Sequence, residues 1–193
     1  MIRRVGFPSA FLGLTPGAWC SPDAEIVCDW LPRGRWRPGF GLHTFCDDYR
    51  QEFFWRRPYE GSMVALAAGV MTAPDFSVYD DDPPEWAAYQ VWRSALVGAF
   101  LRSLGVTVIP VVAFRGEPER FVGPGSVWAV RGPGRLSDRS AWVDRLQLFA
   151  SVTRPARVLI FGRDVCVPGV TCVRVPLVSS KWATAQKEVV NGG

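Results

Sequence analysis

The chain is poor in histidine: His43 is the only one. A Ser/His or Cys/His hydrolase therefore has no spare base, and triad chemistry would have to run through His43 itself. Two phosphate-binding signatures are also missing, Gly-x-Gly-x-x-Gly and the Gly-Lys-Ser/Thr loop, which argues against ordinary dinucleotide and ATP sites. Gly132-Pro133-Gly134-Arg135 reads as a turn rather than a nucleotide fingerprint. No apolar run approaches the roughly 18 residues of a membrane span. The longest, Met63 to Val70, is interrupted by Gly69 and followed by Thr72, Pro74 and Asp75. Pro8, Gly13 and Pro16 break the apolar stretch after Arg3 and Arg4, so no secretory signal is expected and the reading is cytoplasmic. Lysine is scarce too. Of 22 basic residues only Lys181 and Lys187 are not arginine, a bias we read as compositional rather than as a nucleic-acid signature.

What is present is apolar and aromatic. At 193 residues, 48% hydrophobic and 13% aromatic, the chain is long enough for one domain with a sizeable core and excludes a disordered polymer. The net charge of +4 is unevenly spread: residues 61–100 carry −4 and residues 101–193 carry +7. A basic half attracts phosphate and polyanions at long range, and it equally keeps a surface solvated. The five cysteines are expected as thiols. Cys20, Cys28, His43 and Cys46 have donor types suited to zinc, but the first gap is long for a zinc knuckle. In a strand, the offset from His43 to Cys46 also turns the two to opposite faces.

Residues 1–40, with five prolines and repeated glycine, read as an irregular arm. Within it, Arg33-Gly34-Arg35-Trp36-Arg37 could meet phosphates and stack on a base; alternatively, Trp36 pins the arm to the core. Residues 41–180 read as a single α/β domain and 181–193 as a tail. Strands are expected over Gly41–Cys46, Val70–Ala73, Val106–Phe114, Ser126–Val130, Arg157–Phe161 and Cys172–Leu177. Helices are expected over Asp47–Arg57, Pro83–Leu104 and Ser140–Val152. The second helix carries the clearest signals: Asp82 as N-cap, Pro83 at the first position, Glu85 to complete a capping box and Gly105 as the stop. Its stripe of Trp86, Tyr89, Trp92, Leu96, Val97, Phe100, Leu101 and Leu104 is expected in the core. The alternation implies a mainly parallel sheet of about five to six strands, with a partial or small βα barrel as the alternative.

In such folds ligands bind where strands end at their carboxyl side. The residues expected there are Asp47 and Asp48, then Asp75 with Ser77 and Tyr79, then Arg115, Arg131, and Arg163 with Asp164. Carboxylates thus follow two strands and guanidiniums the next three. That division suits a divalent cation on Asp47, Asp48 and Asp75 with a phosphate on the arginines, as metal-assisted phosphoester hydrolysis requires. The plainer alternative is that Asp47 or Asp48 caps a helix and Asp75 pairs with Arg93. Asp80, Asp81 and Asp82 precede a helix N-terminus, which favours negative charge without any metal.

The order Phe45-Cys46-Asp47-Asp48-Tyr49-Arg50, Pro74-Asp75-Phe76-Ser77, Trp92-Arg93, Gly105-Val106-Thr107-Val108-Ile109-Pro110 and Val158-Leu159-Ile160-Phe161-Gly162 resembles the family called domain of unknown function 4417. The likeness covers roughly residues 41–178, and Pro-Asp-Phe-Ser is its most specific part. Trp92 stands where the family often has Tyr, and Phe114-Arg115 where it tends to have Trp and acidic residues. The resemblance implies a phage, plasmid or other mobile-element setting, hence the host cytoplasm, and no established activity. Its matched residues Asp47, Asp48, Asp75, Ser77 and Arg93 fall on the rim reached from the strand ends. Three expectations follow: binding of a nucleotide or nucleic acid at this rim, with Asp75 and Arg93 organising it; metal-dependent hydrolysis there; or binding of a host protein through exposed tryptophans.

Overall fold

The computed structural model describes residues 9–11, 13, 14, 29–163 and 165–177. Seven short strands run in chain order: β1 Trp30–Pro32, β2 Gly41–His43, β3 Val70–Thr72, β4 Thr107–Ile109, β5 Val127–Arg131, β6 Arg157–Phe161 and β7 Cys172–Val175. They form a four-stranded sheet in the order β1-β2-β3-β4 and a three-stranded sheet in the order β5-β6-β7. Every pairing is parallel. One parallel bridge, Val111 to Ala129, links the two sheets. The helices are α1 Asp48–Arg56, α2 Pro58–Ala68, α3 Pro84–Ser103 and α4 Arg139–Thr153.

Strand order that never reverses has a geometric consequence. Right-handed crossovers put every connecting helix on the same face, so the other face must find cover by curling on itself. The contacts show that curl. Phe161 on β6 lies 5.5 Å from Trp30 on β1, 5.4 Å from His43 on β2 and 4.5 Å from Phe45 just beyond β2, between ring centroids. Alternation along the strands sorts the rest. Ile109, Val127, Ala129, Leu159 and Val175 join this inner cluster. Leu42, Met71 and Val108 instead face Phe54, Leu96 and Leu101, whereas Trp128, Val130, Val158 and Ile160 face Leu146 and Ala150. The mainly parallel α/β fold is as expected, with seven strands rather than five to six. Of the two arrangements weighed, the partial barrel describes the curl. No pairing joins β7 to β1 among the described residues.

Other departures have local causes. Trp30–Pro32, inside the stretch read as an irregular arm, pairs with Gly41–His43 and so extends the sheet. Phe11 is likewise buried, 5.1 Å from Trp55. Trp36 donates to the Phe40 carbonyl at 2.8 Å and packs on the outer core, while Arg33 sits 3.6 Å over Phe53. The Arg33–Arg37 cluster is thus pinned by its aromatic residue. Helix α2 fell in no expected element. Its exposed face carries Tyr59, Met63 and Leu66, which hides the usual polar and apolar periodicity. Helix α3 starts at Pro84 with Pro83 at the cap, one residue later than expected. The Asp82 carboxylate instead accepts from Tyr79 N–H at 2.7 Å and closes the preceding turn. Trp86 (46% exposed), Tyr89 (39%) and Leu104 (41%) are not core residues. Ala87, Val91 and Ser94 are buried in their place, and Gly116, after β4, packs on the first two of these.

Candidate functional site

Beyond β2 and β3 the chain stays extended and hydroxyl groups replace the ladder. Only Leu42 and Met71 are in register between these strands. Past them, Thr44 N–H donates to Thr72 Oγ1 at 2.9 Å, the two threonine hydroxyls lie 2.8 Å apart, and the Thr44 hydroxyl donates to the Ala73 carbonyl at 2.5 Å. Gln51 of α1 donates to the Thr44 carbonyl and, at 2.8 Å, to Cys46 Sγ. These bonds fix where Asp47, Asp48 and Asp75 emerge.

Alternation then divides the Pro74-Asp75-Phe76-Ser77 segment. Phe76 turns into the outer core, where the Arg93 guanidinium lies 3.9 Å over its ring. Asp75 and Ser77 turn to the other side and line a cleft of about 340 Å³ together with Tyr79, Arg115, Arg131 and Arg145. Phe114 and Trp142 form an aromatic wall, their centroids 5.8 Å apart. Trp142 also donates to the Arg131 carbonyl at 3.1 Å, holding the end of β5. The cleft sits at the carboxyl ends of β3, β4 and β5, where the two sheets meet.

Its charged groups differ in their engagement. Arg115 donates to the carbonyls of Tyr79 (2.6 Å) and Asp82 (3.0 Å), so its guanidinium is positioned by neutral acceptors, with no carboxylate paired to it among the described residues. Arg145 is paired with Asp80 at 3.2 Å on the surface. Ser77 donates to Asp48 Oδ1 at 2.7 Å. Asp75 is half-buried, and no hydrogen bond or ion pair reaches it among the described residues. Burial lifts its carboxyl to about 6; Arg131 pulls the other way and Asp48 adds to the rise. Below, in the barrel interior, His43 is 2% exposed and neither ring nitrogen has a partner among the described residues. Burial, reinforced by the positive charge of Arg131, lowers its pKa to about 4, so the ring is neutral at pH 7. Burial also raises the Cys46 thiol, which is therefore not a ready thiolate.

The expected rim is thus assembled in part. Asp48, Asp75, Ser77, Tyr79, Arg115 and Arg131 converge, and Arg145, Phe114 and Trp142 complete the cleft from positions the strand-end rule does not reach. Arg163 is exposed at the end of β6, and its backbone, not its side chain, packs on Gly132 near the cleft. Arg93 is elsewhere. It pairs with Glu52 at 2.6 Å, accepts orientation from Gln90 at 2.8 Å and stacks on Trp55, so it clamps α1 to α3 and does not pair with Asp75. Asp47 points to solvent and lies 3.8 Å from Arg50. It occupies the N-cap position of α1 without a side-chain capping bond. Among the described residues no group of three or more His, Cys, Asp or Glu side chains is placed to hold a metal ion. The three-aspartate cation site therefore does not form, since Asp47 faces away and Asp48 is engaged by Ser77. Cys20 and Cys28 of the zinc quartet, like Asp164 and the 181–193 tail, lie outside the described residues. No helix among the described residues is long and apolar enough to cross a membrane.

Comparison with known proteins finds relatives of this chain in two mycobacteriophages. A "Gene 1 protein" of Mycobacterium phage D29 is 29% identical over 160 residues, covering 78% of this chain and 59% of the relative. A "Gene 1 protein" of Mycobacterium phage L5 is 31% identical over 134 residues, covering 65% of this chain and 58% of the relative. The chain thus aligns with little more than half the length of these relatives. No solved structure matches it. The profile of one family, described as Domain of unknown function (DUF4417), matches residues 37–168, more than half of the chain and the whole of the cleft. By that match the chain belongs to the DUF4417 family.

Proposed function

We propose that the chain binds a small phosphate-bearing ligand, a nucleotide, in the cleft at the carboxyl ends of β3, β4 and β5. The observation that carries this reading is the pairing of two guanidiniums, Arg115 and Arg131, with an aromatic wall in one concavity. Guanidiniums suit phosphate oxygens because their planar N–H forks match them, and neutral carbonyl partners leave the charge of Arg115 uncompensated. Phe114 and Trp142 offer a π face to a base. The volume of about 340 Å³ suits a mononucleotide, not a strand.

Two related readings are less well supported. Hydrolysis on a cation held by Asp47, Asp48 and Asp75 lacks its ligand cluster among the described residues. Polyanion binding through Arg33–Arg37 loses its stacking residue, because Trp36 is bound to the core. Calorimetric titration with a nucleoside monophosphate tests the proposal. Arg131 is exposed, so Arg131→Ala should fold normally and lower affinity at least about tenfold, the size of a charge-assisted contact. Equal affinity in the folded variant contradicts it. Affinity that collapses with added salt, and is measurable only for single-stranded DNA or RNA, points to nucleic acid instead.

A further inference from the structure

The cleft holds one group that phosphate binding does not use. Asp75 is a carboxylate without a partner among the described residues, set on the same lining as two arginines that a phosphate would occupy. A carboxylate left at a binding surface costs desolvation unless a ligand supplies donors. It accepts two parallel N–H bonds most favourably, and among the common nucleobases only guanine presents adjacent N–H donors on one edge, N1–H and the N2 amine. Adenine offers one donor beside an acceptor, which an ionised carboxylate repels.

We infer that the cleft selects a guanine nucleotide, with Asp75 accepting from the base edge, one face of the base packed on the Phe114–Trp142 wall, and Arg115 and Arg131 meeting the phosphate. This rests on the cleft being a nucleotide site and names the base that it takes. The neighbours of Asp75 fit the assignment. The Asp48 carboxylate on α1 is held through Oδ1 by Ser77 and is not among the residues that line the cleft, so Asp75 is the carboxylate placed to meet the base. Arg131 on β5 favours the ionised form of Asp75, and the neutral His43 on β2 adds no charge near pH 7. The Cys46 thiol also faces this group and remains protonated. Because burial holds Asp75 near 6, ionised carboxylate is fully available only above that pH. Base selection should therefore be strong at pH 8 and fade at pH 5.

The experiment compares guanosine monophosphate, adenosine monophosphate and inorganic phosphate at pH 8 on the full chain, in wild type, Asp75→Asn and Asp75→Ser. The expected result is at least about tenfold tighter binding of the guanine nucleotide than of the adenine nucleotide, a ratio of the size set by one bidentate contact. Both variants should abolish that ratio while phosphate binds at least as tightly as in wild type, because a neutral residue 75 no longer repels the anion, and retained phosphate binding also shows that they are folded. If the two nucleotides bind equally and still depend on Arg131, the guanine assignment is wrong and the cleft reading survives. If no nucleotide and no phosphate binds, both are wrong.

Discussion

At the residue scale the inner mouth of the barrel sets two titrating groups against each other. His43, lowered to about 4, contributes stability that is fully present above its unfolded value near 6.5 and is lost as pH falls through 4. Asp75, raised to about 6, works in the opposite direction: its stability is present below its unfolded value near 3.8 and is lost as pH rises through 6. The slopes offset each other over the same window, so the wild-type profile conceals both. Substitution separates them. His43→Phe keeps the ring contacts with Phe45 and Phe161 and removes a charge that must otherwise be buried. The stability of this variant relative to wild type should grow by roughly 2–3 kcal/mol between pH 7 and pH 4, measured by urea unfolding. A difference that stays constant across that range means His43 is not held neutral. Little of this was legible in the sequence. A lone histidine at a strand end carries no sign of whether its nitrogens find partners, and Arg93 illustrates the same limit. Its place beside a rim motif suggested a ligand contact, yet its partner Glu52 lies 41 positions away on a different helix.

At the element scale the strands were the most legible features, because β-branched runs buried on both faces leave an unbroken apolar signature. The run Arg157–Phe161 holds its expected bounds, and Val127–Arg131 differs by one residue at each end. Legibility failed where tertiary packing overrode periodicity. Helix α3 is buried on several sides, so its aromatic stripe did not mark its core face, and Trp86 and Tyr89 stand 5.5 Å apart on the surface instead. The loop after β4 packs on Ala87 and Val91, which are buried instead. Gly116 has φ +79°, and a Cβ there would lie 2.5 Å from the Ala87 carbonyl oxygen. The close approach seats the loop on the first turns of α3 and delivers Arg115 to the Tyr79 and Asp82 carbonyls. Gly116→Ala should therefore cost at least about 2 kcal/mol, by strain in the left-handed region together with the clash, and should weaken phosphate binding in whatever fraction stays folded. Thermal unfolding with a parallel phosphate titration checks both; a neutral substitution contradicts the packing described for this loop.

At the scale of the whole molecule the uneven charge acquires a location. The acidic segment around Asp75 follows β3 of the four-stranded sheet, the stretch beyond residue 101 supplies β4 of that sheet and all of the three-stranded one, and the cleft lies where the two sheets meet through the Val111–Ala129 bridge. Strand-end reasoning found six of its lining or supporting residues because parallel order forces all carboxyl ends to one side. It missed Arg145, Phe114 and Trp142, which come from a helix and from mid-loop, where no strand end points. The central claim is that this one concavity is the ligand site. Amide chemical-shift mapping during titration with a nucleoside monophosphate tests it most directly. Perturbed resonances should cluster on residues 75–80, 112–115 and 131–134 with the Trp142 indole, all of which line the cleft. Perturbations centred on Arg33–Arg37, or on the exposed Trp86–Tyr89 surface, with the cleft silent, contradict it.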